Sequence, residues 1–310
     1  MVKPLSYFLI RPSQWPGLLF MAFAWCVAKM PFSIQLLLAK GLSALLLKYA
    51  SKRRTVTEIN LKLCFPEKTD AEREELLKEN FLMSALGIVE IASCWFSDLK
   101  SREKHTELKG LENLQAAQAK GNGVILLIFH FTSMEIGGSL LGHHVDFNAM
   151  YKPNKKHPLV ERMMRLGRLK HIHALLTQDD AKKTLKCLKN NEIVWYATDQ
   201  NYGNKKGVFV DFFGTKASTV TAISKFAKMT GASIVPFTHK RTNNLKGLEL
   251  ELHPALDNFP SNSPEEDALR INRFLEDFLR ENPANYLWLH QRFRTRPPGE
   301  PEIYPPKKAK

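Results

Sequence analysis

A chain of 310 residues, 44% apolar and 25% charged, can bury a full hydrophobic core in one or two domains, which excludes a disordered or fibrous chain. Its four cysteines, Cys26, Cys64, Cys94 and Cys187, form no C-x-x-C pair; this argues against a disulfide framework or a zinc site and suits a reducing compartment. The formal net charge of +14 asks for a partner carrying negative charge: a membrane surface, a phosphorylated lipid, an acidic protein or nucleic acid.

Lys3 and Arg11 precede the first long apolar stretch, residues 15–28. Lys29 interrupts it, Pro31 punctuates it, and residues 32–47 are apolar again apart from Lys40 and a few small polar side chains. Neither piece reaches the run of about 18 apolar residues expected of an uninterrupted membrane span. A signal peptide, a buried core helix and a membrane anchor compete. No A-x-A-like site follows promptly, and the basic cluster Lys48, Lys52, Arg53 and Arg54 pairs well with anionic head groups. Residues 1–50 therefore read as an N-terminal membrane-anchoring helical segment, either spanning the bilayer or lying on it.

Residues 51–297 read as the catalytic domain. A short amphipathic helix over 55–65 ends at Phe65-Pro66. Thr69-Asp70-Ala71-Glu72 has the form of a capping box and opens a long helix to about Trp95. A helix over 111–120 ends at Gly121 and leads into the apolar run 124–129, read as a buried parallel strand. Thr132-Ser133-Met134-Glu135 looks like a second capping box. Beyond it the pattern alternates: a strand at 148–151, a helix at 157–169, a helix capped by Asp179 and running to about Asn190, and a strand at 193–198. Residues 199–218 read as a long loop. A helix at 219–229, strands at 233–237 and 248–252, and a helix announced by Ser263-Pro264-Glu265-Glu266 follow. This order predicts an α/β fold: a central mixed, largely parallel sheet flanked by helices. Residues 298–310 read as a mobile basic tail.

His130 falls at the carboxyl end of the buried strand, with Glu135 in the first turn of the next helix. That edge of an open α/β sheet is where ligands bind, and a base with an orienting carboxylate suits acyl transfer to a hydroxyl. The competing reading is a satisfied core histidine and a glutamate that only caps a helix. Asp199 ends a second strand and serves either the same site or an Asx turn. Arg165 and Arg168, one helical turn apart, suit phosphate or carboxylate binding, or form a solvated basic face. Trp95-Phe96 reads as core, with a lipid- or substrate-facing surface as the alternative. His143-His144 and His171-x-His173 lack a further ligand at suitable spacing, so no metal site is expected. The chain has no phosphate-binding glycine loop, no G-x-S-x-G elbow and no nucleic-acid motif, so the basic charge is assigned to lipid or phosphate.

Taken together, a set of blocks resembles the late acyltransferases of lipid A biosynthesis, in particular their lauroyl branch, within the lysophospholipid acyltransferase superfamily. The blocks are Arg11-Pro12, Lys52-Arg53-Arg54, Asn60-Leu61-x-Leu63-Cys64-Phe65-Pro66-Glu67, Gly110-Leu111-Glu112, His130-Phe131-Thr132-x-x-Glu135, Trp195-Tyr196-Ala197-x-Asp199, Val208-Phe209-Val210-x-Phe212-Phe213-Gly214 and Trp288-Leu289-His290-x-Arg292-Phe293-x-Thr295-Arg296-Pro297. The resemblance implies an enzyme on the cytoplasmic face of a Gram-negative inner membrane. It implies transfer of a fatty acyl chain, laurate in the first instance, from acyl carrier protein to a hydroxyacyl hydroxyl of a phosphorylated, Kdo-bearing lipid A precursor, without cofactor, metal or nucleic acid. It maps a catalytic dyad onto His130 and Glu135 and supporting roles onto Arg168 and Asp199, with Arg165 as the neighbouring alternative. Many relatives carry an Asp-His or similar pair where this chain has Asp199-Gln200, which leaves residue 200 without an assigned role. In the expected mechanism His130 deprotonates the acceptor hydroxyl and Glu135 orients the imidazole. A myristoyl or palmitoleoyl donor, a phospholipid or glycolipid acceptor, and a non-catalytic lipid-binding protein are the alternatives.

Overall fold

A computed structural model describes residues 7–8, 11–203 and 207–306; Lys3 and the last four residues lie outside it. Eleven α-helices and nine strands are found among these residues. Helices α1 (Trp15–Lys29), α2 (Phe32–Tyr49), α3 (Ser51–Cys64), α4 (Asp70–Phe96) and the single turn α5 (Lys100–Glu103) precede the first strand, β1 (Glu107–Lys109). Then come α6 (Leu111–Gln118), β2 (Val124–Ile128), α7 (Met134–Leu141), β3 (Asn148–Tyr151), α8 (Pro158–Arg168), β4 (Ala174–Thr177), α9 (Ala181–Lys189) and β5 (Ile193–Ala197). A hairpin of β6 (Gly207–Phe212) and β7 (Thr215–Val220), α10 (Ala222–Thr230), β8 (Ser233–Arg241), β9 (Leu248–Leu252) and α11 (Pro264–Glu281) complete the order.

The seven-stranded sheet runs β1-β9-β8-β2-β5-β3-β4. All pairings are parallel except β8 with β9, so the sheet is mixed and largely parallel. β2 is central, and all five of its residues are buried. Its side chains divide by the period of two that a strand imposes. Ile125, Leu127 and Phe129 join a layer with α10 and α11, while Val124, Leu126 and Ile128 join one with α7. Burying each such side chain contributes about 1.5–3 kcal/mol, so this pattern fixes both the strand and its register.

The caps written in the sequence form at two helices. Thr69 Oγ1 accepts from Glu72 N at 3.3 Å and Thr69 N donates to Glu72 Oε2 at 2.6 Å, starting α4. Ser263 Oγ accepts from Glu266 N at 3.2 Å ahead of Pro264, starting α11. The N-cap of α9 is Asp180 rather than Asp179, its carboxylate accepting from Lys183 N at 3.1 Å.

Three parts of the chain differ from the expectation. The loop expected at 199–218 contains the β6–β7 hairpin, closed by Phe213 (φ 51°) and Gly214 (φ 71°). Two left-handed residues in a two-residue turn match strand twist, but a phenylalanine there gives no turn signal in sequence. β4 lacks a strong apolar alternation and forms because β3 offers a parallel partner. The tail packs back as far as Tyr304, which is 6% exposed and donates from Oη to Asn60 Oδ1 at 2.5 Å.

α1 and α2 both lie along α4. Val27 and Ala28 pack with Ala92, and Ser93 Oγ donates to Gln35 Oε1 at 3.1 Å. Their other faces expose large apolar side chains, including Leu19, Phe20, Phe23, Trp25, Leu37 and Leu45. α2, with 18 residues, is long and apolar enough to cross a membrane by length and composition.

Candidate active site

β2 and β5 are parallel neighbours, with Ile128 opposite Ala197. His130 and Asp199 each lie two residues beyond that pair, so the strand register alone brings them to one height at the carboxyl edge of the sheet. His130 Nδ1 is 2.7 Å from Asp199 Oδ1, and the His130 backbone N–H donates to Asp199 Oδ2 at 2.8 Å. Both carboxylate oxygens are therefore spent on one residue, and the ring is fixed as the tautomer protonated at Nδ1. Nε2 is the lone pair left to act on a ligand. His130 lines a narrow, mostly apolar cleft of about 90 Å³.

Asp199 is 2% exposed. Burial alone would raise its pKa, but the His130 charge, the two His130 hydrogen bonds and the field of Arg292 hold it below the ordinary carboxylate value. It stays ionised, as an orienting carboxylate must.

Glu135 faces another way. Arg168, at the end of α8, donates from Nε to Oε1 at 2.9 Å and from Nη2 to Oε2 at 2.7 Å. Trp95 Nε1 adds a third donor to Oε1 at 3.3 Å. Burial works against the Arg168 charge, yet the bonds to Glu135 raise its pKa overall, so the guanidinium stays charged. The expected contact from Glu135 to the imidazole is not formed in this structure; Asp199 holds that place. The expected capping box also fails. Ser133 is the N-cap of α7 and makes no side-chain cap bond, because its Oγ lies 2.9 Å from Nδ1 of the buried His239. Arg165 is drawn off as well, donating from Nη1 to Tyr151 Oη at 2.6 Å, which in turn donates to Glu161.

Ile128, Met134, Ala149, Ile172 and Ala197 line the cleft together with Phe147 and Trp195, whose rings stack with centroids 5.1 Å apart. His130, Glu135 and Arg168 form its polar side. Such a site offers an oriented base beside an apolar slot, with a cation at the rim: the parts needed to deprotonate a hydroxyl next to an alkyl chain.

The sequence reading missed the segment that fastens this site. Leu287 N donates to His130 O at 2.9 Å, Thr132 N to Asn285 O at 2.7 Å, and Tyr286 Oη to Asp199 O at 3.0 Å. Asn80 of α4 holds that segment through the Ala284 and Tyr286 carbonyls, at 2.8 and 2.7 Å. The block around Trp288 and His290 was the signal in sequence, but its contacts join residues far apart in the chain. Of the paired histidines, His171 Nε2 bonds Cys94 O at 2.9 Å and His143 contacts His171 at 3.3 Å. No group of three metal-ligating residues is found among the described residues.

The model of the Bacterial lipid A biosynthesis acyltransferase family matches residues 5–295. The chain is 34% identical to the Lipid A biosynthesis lauroyltransferase of Escherichia coli strain K12, covering 96% of this chain and 97% of that protein. It is 29% identical to the Lipid A biosynthesis palmitoleoyltransferase of the same organism, covering 95% and 96%. Among solved structures, a 1-acyl-sn-glycerophosphate acyltransferase from Thermotoga maritima matches at 14% identity and a TM-score of 0.36, covering 80% of this chain and 96% of that one.

Proposed function

The chain belongs to the bacterial lipid A biosynthesis acyltransferase family and is an acyl-transfer enzyme, and on that premise we propose that it moves a lauroyl-type chain from acyl carrier protein to a hydroxyacyl hydroxyl of a Kdo-bearing lipid A precursor. The observation that carries the mechanism is the His130–Asp199 pair at the cleft, 2.7 Å apart. His130 Nε2 takes the proton of the acceptor hydroxyl as its oxygen attacks the thioester carbonyl. Asp199 holds the ring in the required tautomer and offsets the positive charge that forms on it. The tetrahedral intermediate collapses, the C–S bond breaks, and the leaving thiolate takes the proton back from the imidazolium. No covalent acyl-enzyme is formed. Ser133, three residues from His130, is 1% exposed and bound to His239.

Glu135 serves as the anchor of Arg168. The Arg168 guanidinium, fixed in orientation along its Nε–Nη2 edge, presents the rest of its charge to the oxyanion or to a phosphate of the acceptor. The apolar faces of α1 and α2 rest on the cytoplasmic face of the inner membrane, and the excess of positive charge attracts both the acidic carrier protein and the phosphorylated lipid. Association with carrier protein accordingly weakens as salt rises.

The test is a transfer assay with lauroyl-, myristoyl- and palmitoleoyl-carrier protein donors, with mass spectrometry of lipid A from a strain lacking the gene. Loss of one secondary C12 chain supports the lauroyl reading. The similarity to a palmitoleoyltransferase favours a second reading in which the donor is palmitoleoyl. Unchanged lipid A, or His130→Ala transferring at the wild-type rate, overturns the proposal.

A further inference from the structure

Arg292 is a buried charge without a counter-charge in contact. It is 1% exposed, and its hydrogen bonds go to neutral oxygens: Nη1 to Ser218 O at 2.6 Å, and Nη2 to Thr219 Oγ1 at 2.6 Å and Asn272 Oδ1 at 3.5 Å. Nε has no partner among the described residues. The guanidinium lies over the Phe212 ring, 5.4 Å from its centroid. Neutral oxygens and a ring face offset only part of the cost of burying a cation, so an arginine held only to brace the hairpin would be an expensive choice.

The missing negative charge is in the site. Two hydrogen bonds bracket Arg292 and tie its segment to the end of β5: Asn201 N donates to His290 Nε2 at 3.1 Å, and Thr295 N to Asn201 Oδ1 at 3.3 Å. Tyr286, whose ring centre is 6.1 Å from that of Phe212, donates to the Asp199 carbonyl. The segment carrying Arg292 is thus fastened to the residues around Asp199, both side chains are shut off from water, and each favours the charge of the other.

We propose that Arg292 is a positioning residue of the active site, its fixed positive charge keeping Asp199 ionised and setting the pH at which the His130–Asp199 pair gives up its proton. This rests on the reading of His130 as the base. Glu135 and Arg168 line the cleft beside His130 as an ion pair whose opposite charges offset each other, and the groups packed about Asp199 are neutral. Burial lowers His290 to about 4, and Tyr202 and Tyr286 are raised by burial and by Asp199 itself. On the far side, Tyr304 and Cys64 face Arg292 and are likewise raised by burial. Arg53, exposed at the surface, acts on His290 and donates from Nη1 to Leu289 O at 2.9 Å.

The sign follows from charge. A proton on the pair is repelled by Arg292. Without that cation the pair holds its proton to higher pH, and the acid limb of the kcat/KM profile moves up.

The experiment is the pH profile of kcat/KM for the full chain and three variants. Arg292→Met shifts the acid limb up by about one pH unit, while Arg292→Lys, which keeps the charge, leaves the limb near its wild-type position. The folded fraction is followed at each pH by circular dichroism and kcat/KM is referred to folded enzyme, so a purely structural loss lowers activity without moving the limb. If Arg292→Met yields no folded enzyme, Asn272→Asp is measured in its place; it sets a carboxylate beside the guanidinium and shifts the limb in the same direction. An unmoved limb in the neutralised variant overturns the proposal. His130→Ala is the control. If it is active, the reading of His130 is at fault; if it is inactive and the limb of Arg292→Met is unmoved, the role of Arg292 alone is.

Discussion

Glu135 and Arg168 grip each other by two edges, Nε to Oε1 at 2.9 Å and Nη2 to Oε2 at 2.7 Å. That pair joins the first turn of α7 to the last turn of α8, so the two helices that flank the cleft are locked by one contact. Their fates under mutation are therefore linked. Glu135→Ala and Arg168→Ala should each lower kcat/KM by about 10²-fold, and the double variant should be little worse than either, a coupling of about 1–3 kcal/mol. Losses that multiply in a double-mutant cycle would mean that the two side chains act separately.

Asp199→Asn keeps the size of the side chain but removes the charge that offsets the imidazolium, and its amide favours the wrong tautomer. A fall in kcat of about 10³-fold with little change in KM is expected. A variant retaining a tenth of wild-type kcat would assign the orienting role elsewhere.

Two histidines, His239 buried and His290 half-buried, make stability pH-dependent. Burial lowers His239 to about 3 and His290 to about 4. Unfolded histidines take up protons near pH 6.5, so between about pH 6.5 and 4 the unfolded chain binds more protons than the folded one and stability falls as the pH falls. His239→Asn, which keeps an acceptor near the Nδ1 position for Ser133, should show a shallower loss of Tm from pH 7 to 5 than the wild type. Parallel Tm curves would show that His239 is not neutral in the fold.

Glycines separate packing from propensity. A Cβ at Gly87 would stand 2.0 Å from Thr132 O, inside the loop that carries His130. Gly87→Ala must push α4 away from the site and should cost about 2 kcal/mol or more, with loss of activity. At Gly41 nothing lies within 4 Å of the added Cβ. Gly41→Ala on α2 should instead stabilise by about 0.5–1 kcal/mol through helix propensity. Thermal melts of the two variants check both signs, and equal shifts would contradict this account.

Features that depend on near neighbours along the chain could be read from the residues directly. The apolar run 124–129 was legible as the central strand because its residues are buried on both faces. The caps at Thr69 and Ser263 were legible because their bonds span three residues. His130 and Asp199 could each be placed at a strand end, and Arg168 at a helix end. Which of these groups meet is set by the packing of distant segments. Glu135, five residues from His130, looked like its partner, but the turn into α7 carries it to Arg168 and Trp95. Asp199, sixty-nine residues away, reaches the ring because β2 and β5 are adjacent and in register. Neighbouring strands lie about 4.8 Å apart, so equal height on two of them is a closer relation than five residues of chain that turn a corner. The same reason hid Arg292: its burial and its want of a counter-ion appear once the hairpin, α11 and the end of β5 are folded around it.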